Sequence, residues 1–315
     1  MVAEARPAIA VQKPKLTARQ RREELEGYAY LTPWLLGFFA FTAMPIVASI
    51  LLSFTRYSVL RPPQFLGLAN YRRALGGGDD LMWPSIGRSF YYALLSVPTR
   101  LAGSLLVAIL LNQQLRLTAF WRTLFFLPSL TPSVATAYLW RWILNSEIGV
   151  LRIAFDAVGV PMPRWLGSME WAIPSLVMIS LWSTVGGSSM IIFLAGLQDI
   201  PEELLEAAEI DGAGRWRKFW HVTIPMLSPV VFFNLIMGVI GALRVFDTAY
   251  VATAGGPGYA TWFISLHIYD TAFVSFDMGY AAALSWILAL IIVLITILQF
   301  RLSRSWVYYQ GEVRG

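Results

Sequence analysis

From Tyr30 onward the chain is written in long apolar runs separated by short polar stretches. A helix rises about 1.5 Å per residue, so a bilayer core of about 30 Å takes roughly 20 consecutive, mostly apolar residues. Six segments meet that requirement: 30–55, 89–112, 122–144, 171–197, 226–248 and 277–300. The pattern predicts an all-α polytopic membrane protein with six transmembrane helices. Pro33, Pro45, Pro98, Pro128, Pro132, Pro174 and Pro229 fall inside these runs. Transmembrane helices tolerate them where neighbouring groups satisfy the freed backbone. Residues 1–28 are polar and basic, with Lys13, Lys15, Arg19, Arg21 and Arg22, and read as a tail leading into a short helix, LTARQRREELEGY. The first apolar run has no small-residue cleavage site, so it reads as a retained span, not a cleaved signal.

Composition agrees with a lipid environment. Hydrophobic residues make up 57% and charged residues 14%, against about 25% charged in soluble domains. The 13 Trp and 13 Tyr suit the headgroup level, where one end of the ring is wet and the other apolar. The absence of Cys excludes disulfides, thiolate metal sites and thiol catalysis. His221 and His267 are the only histidines, too few for a His-rich metal site. A net charge of +5 fits a positive-inside membrane protein better than a nucleic-acid binder. Lys and Arg number 14 over the N-terminus, 113–122, 198–225 and 301–315, against 7 over 56–88, 145–170 and 249–276. The first set is expected in the cytoplasm, with both termini inside. Arg56, Arg61, Arg72, Arg73 and Arg88 in the first outer loop run against that rule. In the outer loops, FLGLANYRRAL (65–75) has the pattern of a short amphipathic helix. Residues 145–170, with two Pro and an apolar stretch, have that of a folded cap.

The connection between the fourth and fifth spans, 198–225, carries the strongest local signal. Asp199 is placed to cap a helix and Pro201 to occupy its first turn. Glu202 and Glu203 favour the positive end of the helix dipole. Asp211-Gly212 closes the helix, glycine being able to take the left-handed conformation. A second helix is expected over Trp216–Val222, stopping before Pro225. The result is a cytoplasmic helix–turn–helix with small Ala residues exposed at the bend. It is either a rigid grip for a soluble motor or an amphipathic connector lying on the membrane. Ser183-Thr184-Val185-Gly186-Gly187-Ser188-Ser189 in the fourth span also has two readings, close helix packing or the polar wall of a translocation path.

The same loop resembles the EAA loop of ABC importer permeases, whose pattern is EAA, three residues, Gly, nine residues, then I-x-L-P. Here stand Glu206-Ala207-Ala208, three residues, Gly212, nine residues and Val222-Thr223-Ile224-Pro225. A second block, FDTAYVATAGGPGYAT (246–261), is similar to a signature of carbohydrate-type permeases at Phe246, Asp247, Thr253, Gly255, Gly256, Pro257 and Thr261. FLGLANYRRAL resembles the outer F-x-G-L-x-N-Y segment of those subunits, while Arg152 departs from their usual Asn. The resemblance covers nearly the whole chain from about Tyr28 and is greatest to maltose F-type or glycerol-phosphate A-type members. It implies the type I ABC importer permease fold. Its parts would be a cytoplasmic basic tail over 1–29, the first transmembrane helix and outside loop over 30–85, the permease core over 86–300 with coupling loop 198–225, and a cytoplasmic tail over 301–315.

The resemblance further implies the non-catalytic membrane subunit of an ATP-driven, binding-protein-dependent importer in the prokaryotic cell membrane. Its cargo would be a sugar or a related polyol or glycerol-phosphate compound. The implied partners are a second homologous permease, giving a heterodimer, two ATPase subunits, an extracytoplasmic substrate-binding protein and the lipid bilayer, with no nucleic acid. No G-x-x-x-x-G-K-S/T occurs, so ATP and Mg are expected on the partner ATPase, with no cofactor or metal on this chain. The expected coupling residues are Glu206, Ala207, Ala208, Asp211, Gly212 and Pro225. Substrate-path candidates are Trp182, Asn234, Arg244, Phe246 and Asp247. Trp182, Asn234 and Phe246 would supply an aromatic platform and hydrogen bonds. Arg244 and Asp247, three apart, are either ligand contacts or a structural helix pair. Arg100 and Arg141 also lie inside spans and count as path candidates, against pairing with a neighbour for Arg100 and snorkelling for Arg141. An ion-gradient-driven secondary transporter would instead need an acidic relay inside the spans, and no Asp or Glu lies at mid-span. A membrane-embedded enzyme would need paired carboxylates, a His cluster or a Ser/His arrangement, and none occurs.

Overall fold

The computed structural model describes residues 17–113 and 116–308; Lys13 and Lys15 of the expected tail, and 309–315 at the other end, lie outside them. The chain divides into two units, 1–51 and 52–315. In the first, α1 (Ala18–Phe38) runs from the basic segment straight into the apolar run, so the short polar helix and the first span are one element. Arg19–Glu23 and Arg22–Glu26 pair one turn apart on its polar end. A π turn over Phe39–Ala43 then leads into α2 (Met44–Ser53). Pro45 sits just after that turn. Proline has no N–H to bond one turn back, and its ring strikes the carbonyl there. A widened turn placed before it moves the carbonyl away.

The second unit opens with an antiparallel hairpin, β1 (Thr55–Ser58) and β2 (Arg61–Phe65), with Thr55 opposite Phe65. The apolar pattern gives no hint of it. Next comes α3 (Ala69–Leu75), inside the expected amphipathic segment. Asn70 Nδ2 donates to the Ser53 and Thr55 carbonyls at 2.9 Å each, and Tyr71 Oη meets Ser53 Oγ at 2.7 Å. These bonds anchor the hairpin. Arg73 pairs with Asp277 at 2.8 Å and lies over the Tyr280 ring, which gives one of the five arginines of 56–88 a partner.

α4 (Met82–Leu111) is the central post of this unit. It is followed by α5 (Thr118–Phe126), α6 (Ser133–Ile143), α7 (Val150–Val158), α8 (Met169–Thr184) and α9 (Ser188–Gln198). Then come α10 (Glu202–Ile210), α11 (Arg215–Lys218), α12 (Ile224–Leu243), α13 (Asp247–Thr253), α14 (Ile264–Tyr269) and α15 (Met278–Ser303). Met82 and Ile86 of α4 bury against Tyr280 and Leu284 of α15. Tyr92 and Val97 meet Leu176 and Ile179 of α8 and Leu243 of α12. Val107 and Leu111 meet Met190 and Phe193 of α9. Because lipid is as apolar as leucine, these contacts stabilise through close packing more than through water release.

Among the described residues, four helices are long and apolar enough to cross a bilayer: Arg21–Ser53, Met82–Leu111, Arg215–Leu243 and Met278–Ser303. A fifth span results if α8 and α9, bent by 53°, count as one. Over 122–144 there is no single helix. α5 passes into a 3₁₀ turn at Leu127–Leu130, and α6 starts after it. Thr131 and Pro132 are extended there, with ψ of 129° and 139°, the conformation a proline favours in the residue before it, and this interrupts the helix.

Candidate functional site

The first candidate site is the α10–α11 hairpin. The residue at the start of α10 is Pro201, and no side chain caps the helix. Asp199 ends α9 instead, which corrects its expected capping role: Ile200 and Pro201 intervene, and an N-cap must stand next to the first helical residue. α10 closes as expected. Ala213 N–H donates to Ala208 O and Gly212 N–H to Glu209 O, both at 2.9 Å, with Gly212 at φ +77°. This is a Schellman motif, and its left-handed position suits glycine. Lys218 Nζ then pairs with Glu209 Oε2 across the bend at 2.9 Å. The Lys218 ammonium, hydrogen-bonded to Glu209, holds that carboxyl below its ordinary value.

The second helix of the hairpin does not stop before Pro225. α11 continues through a π turn, Phe219–Thr223, into α12, giving one helix over Arg215–Leu243. The widened turn accommodates Pro225 as the earlier one accommodates Pro45. Glu206, Ala207, Asp211 and Gly212 stand exposed on the hairpin, Ala208 is half-buried there, and Pro225 lies half-buried in the first turn of α12. The exposed Trp216 stacks on Phe219 and meets Trp220 edge-on, residue types that settle at the headgroup level.

The second candidate site lies at the α8–α9 break. Gly186 packs there with no room for a side chain, since a Cβ would overlap the Phe125 carbonyl. Around it two adjoining clefts, of about 450 and 260 Å³, share Arg100, Ser133, Ser183, Thr184 and Thr248. The larger adds Ser129, Thr131, Thr136, Ser188 and Ser189, and the smaller Tyr92, Ser96 and Ser180. So Gly186 of the 183–189 stretch packs against α5, while Gly187 and the hydroxyls line a cleft. Arg100 reaches in from α4 beside Gly238, where a Cβ would stand 2.8 Å from its Nη2. The Arg100 Nε is enclosed without a hydrogen-bond partner, and among the described residues Arg100 makes no ion pair. Ser183–Ser189 and Arg100 are legible as polar interruptions of apolar runs. Sequence reasoning missed Ser129, Ser133, Thr136 and Thr248. It also missed a stripe at spacing four along α4, Tyr92, Ser96, Arg100 and Ser104, which marks one helix face.

The remaining path candidates are scattered. Asp247 accepts from Ser133 Oγ at 2.8 Å and so touches a cleft-lining group. Arg244 forms no ion pair with it and instead borders an apolar groove with Ile240, Leu288 and Ile292. Asn234 is 2% exposed and donates to Val230 O of its own helix. Trp182 meets Trp140 edge-on. Phe246 stacks on Tyr250 and packs on Tyr269. The rest of the 246–261 block holds its own loop together. Thr253 and Thr261 hydroxyls lie 2.6 Å apart, and Thr261 Oγ1 donates to Gly256 O at 2.9 Å. Arg141, with Glu147 and Tyr138, borders a separate cleft of about 750 Å³. Among the described residues no group of three or more His, Asp or Glu could hold a metal.

The sequence profile of binding-protein-dependent transport system inner membrane components matches residues 85–308. The chain belongs to that family. It is 41% identical to "Probable ABC transporter permease protein YesP" of Bacillus subtilis (strain 168), over 93% of this chain and 94% of that one. It is 32% identical to "Trehalose/maltose transport system permease protein MalF" of Thermococcus litoralis, over 90% and 95%. Its fold is similar to a chain in the crystal structure of a bacterial alginate ABC transporter in complex with alginate pentasaccharide-bound periplasmic protein. The TM-score is 0.79 at 21% identity, covering 91% of this chain and 96% of that one. The protein is therefore a multi-pass inner-membrane permease, a non-catalytic subunit of a binding-protein-dependent ABC importer.

Proposed function

We propose that this permease is one half of a sugar translocator, crossing the membrane six times with both termini in the cytoplasm. The third crossing is then the broken α5–α6 segment and the fourth the bent α8–α9 pair. A second homologous permease supplies the other half of the path. Two ATPase subunits hold the ATP and Mg, and an external binding protein delivers the solute. The α10–α11 hairpin carries this reading. It is stiffened by the Gly212 bend and the Glu209–Lys218 pair, it is exposed, and it presents Glu206, Ala207, Ala208, Asp211 and Gly212 together. Seated in a groove of the ATPase, it passes ATPase closure to the spans through the continuous helix Arg215–Leu243. A sugar cargo is supported by relatives named for trehalose/maltose and lactose transport and by clefts rich in hydroxyls, which match the donors and acceptors of a saccharide. The test is co-purification with an ATPase and a related permease, followed by reconstitution in liposomes with the binding protein. Sugar uptake is expected to need all components and ATP. Uptake by the chain alone without ATP would overturn the proposal.

A further inference from the structure

We propose that the transported sugar carries an oxyanion (carboxylate, sulfonate or phosphate) and that Arg100 receives it at the α8–α9 break. The inference rests on the sugar-permease reading above and adds the charge of the cargo. Its basis is an imbalance in the cleft. Around Arg100 the lining side chains are neutral, with Ser133, Ser183, Thr184 and Thr248 common to both clefts. The carboxylate of Asp247 accepts from the cleft-lining Ser133, and among the described residues it forms no ion pair with the guanidinium. The Arg100 Nε is enclosed and unpartnered. A cation held inside a membrane protein is costly and persists where something pairs with it. A neutral sugar needs only donors and acceptors, which the serines and threonines already supply. A guanidinium can also donate to the hydroxyls of a neutral sugar, but only an oxyanion cancels its charge, and a carboxylate or phosphate matches its planar fork two-pronged. Gly238 keeps open the space that the Arg100 head occupies.

The experiment uses the full complex in liposomes, with labelled probes of equal size: a uronate-terminated disaccharide, a sulfonated disaccharide, a disaccharide phosphate and a neutral disaccharide. One anionic probe should enter, with the neutral one at least about tenfold slower. Arg100→Gln should cut that uptake about 10- to 100-fold. Arg100→Lys should lose less, with ATP hydrolysis still stimulated by the binding protein in both variants. Preferred uptake of the neutral probe overturns the inference and leaves the sugar reading standing; uptake of no sugar overturns both. Unchanged uptake in Arg100→Gln overturns it as well. So does loss of the second permease from the purified Arg100→Gln complex, which would assign Arg100 to that interface. The wild-type probe series decides even if a variant fails to insert.

Discussion

His267 Nε2 stands 2.8 Å from Asp79 Oδ2, and each side chain is only 9% exposed. Trp262 Nε1 lies 3.2 Å from His267 Nδ1. Since indole can only donate, Nδ1 accepts from Trp262 and Nε2 faces Asp79. Tyr280 Oη donates to the same carboxylate oxygen at 2.6 Å. The network ties α14 and α15 to the loop before α4. Burial pushes the Asp79 carboxyl up, but hydrogen bonds from Tyr280 and His267, and the Leu81 N–H, hold it below its ordinary value. A carboxylate lowered in this way contributes its full stability above its unfolded value, near about 4, and loses it as pH falls through the folded value. Asp79→Asn should cost about 1.5–3 kcal/mol at neutral pH and flatten the acid side of the stability profile. Thermal unfolding of the purified protein at several pH values checks both. A variant as stable as wild type at pH 7 would show that the network contributes nothing.

Gly212 lies at φ +77° in open surroundings, so conformation and not space decides what fits there. Asparagine visits the left-handed region, whereas a β-branched residue does so only at a cost of about 1–2 kcal/mol. Gly212→Asn should keep most of the uptake. Gly212→Val should insert normally yet lose at least about tenfold in ATP-dependent uptake, through a distorted bend. Membrane abundance by immunoblot, set against uptake, separates insertion from coupling. Equal uptake in the two variants would mean that the bend does not transmit ATPase closure.

The Gly212 bend was legible because its rule is local: a polar helix end followed by glycine. The same locality misled at Asp199, where the stiff Pro201 takes the starting position. Spans around α4, α12 and α15 were legible as continuous apolar runs. The α5–α6 segment has the same apolarity but two prolines, and counting apolar residues does not register a break. Arg244 and Asp247 have the spacing of a helix pair, yet α12 ends at Leu243 and α13 begins at Asp247. Three-residue spacing brings side chains together only within one continuous helix. Asp247 bonds instead to Ser133, 114 positions away, a contact that no local pattern announces.

Gly186 tests the packing half of the α8–α9 break. A Cβ there would overlap the Phe125 carbonyl, which is backbone and cannot rotate aside. Overpacking of this kind costs about 1–3 kcal/mol. Gly186→Ala should lower both membrane abundance and melting temperature. Gly187→Ala, whose nearest neighbour is the Ser129 Cβ at 3.1 Å, should be milder. Gly186→Ala protein with wild-type abundance and melting would show that α5 and the break do not pack so closely.

Arg244 and Ser133 separate two possible routes for the cargo. Arg244 borders the groove between α12 and α15 with Ile240, Leu288 and Ile292, and it is not among the residues lining the Arg100 clefts. Ser133 lines both of those clefts and donates to Asp247. Removing a neutral hydrogen bond costs about 0.5–1.5 kcal/mol, which corresponds to about two- to tenfold in apparent affinity. Ser133→Ala should therefore raise the KM of uptake by about that factor, with protein abundance unchanged. Arg244→Ala should leave KM within about twofold of wild type. Both are read from initial uptake rates across a range of binding-protein and sugar concentrations. A larger KM change in Arg244→Ala than in Ser133→Ala would move the cargo route to the α12–α15 groove and leave the hydroxyl-lined cleft a feature of packing alone.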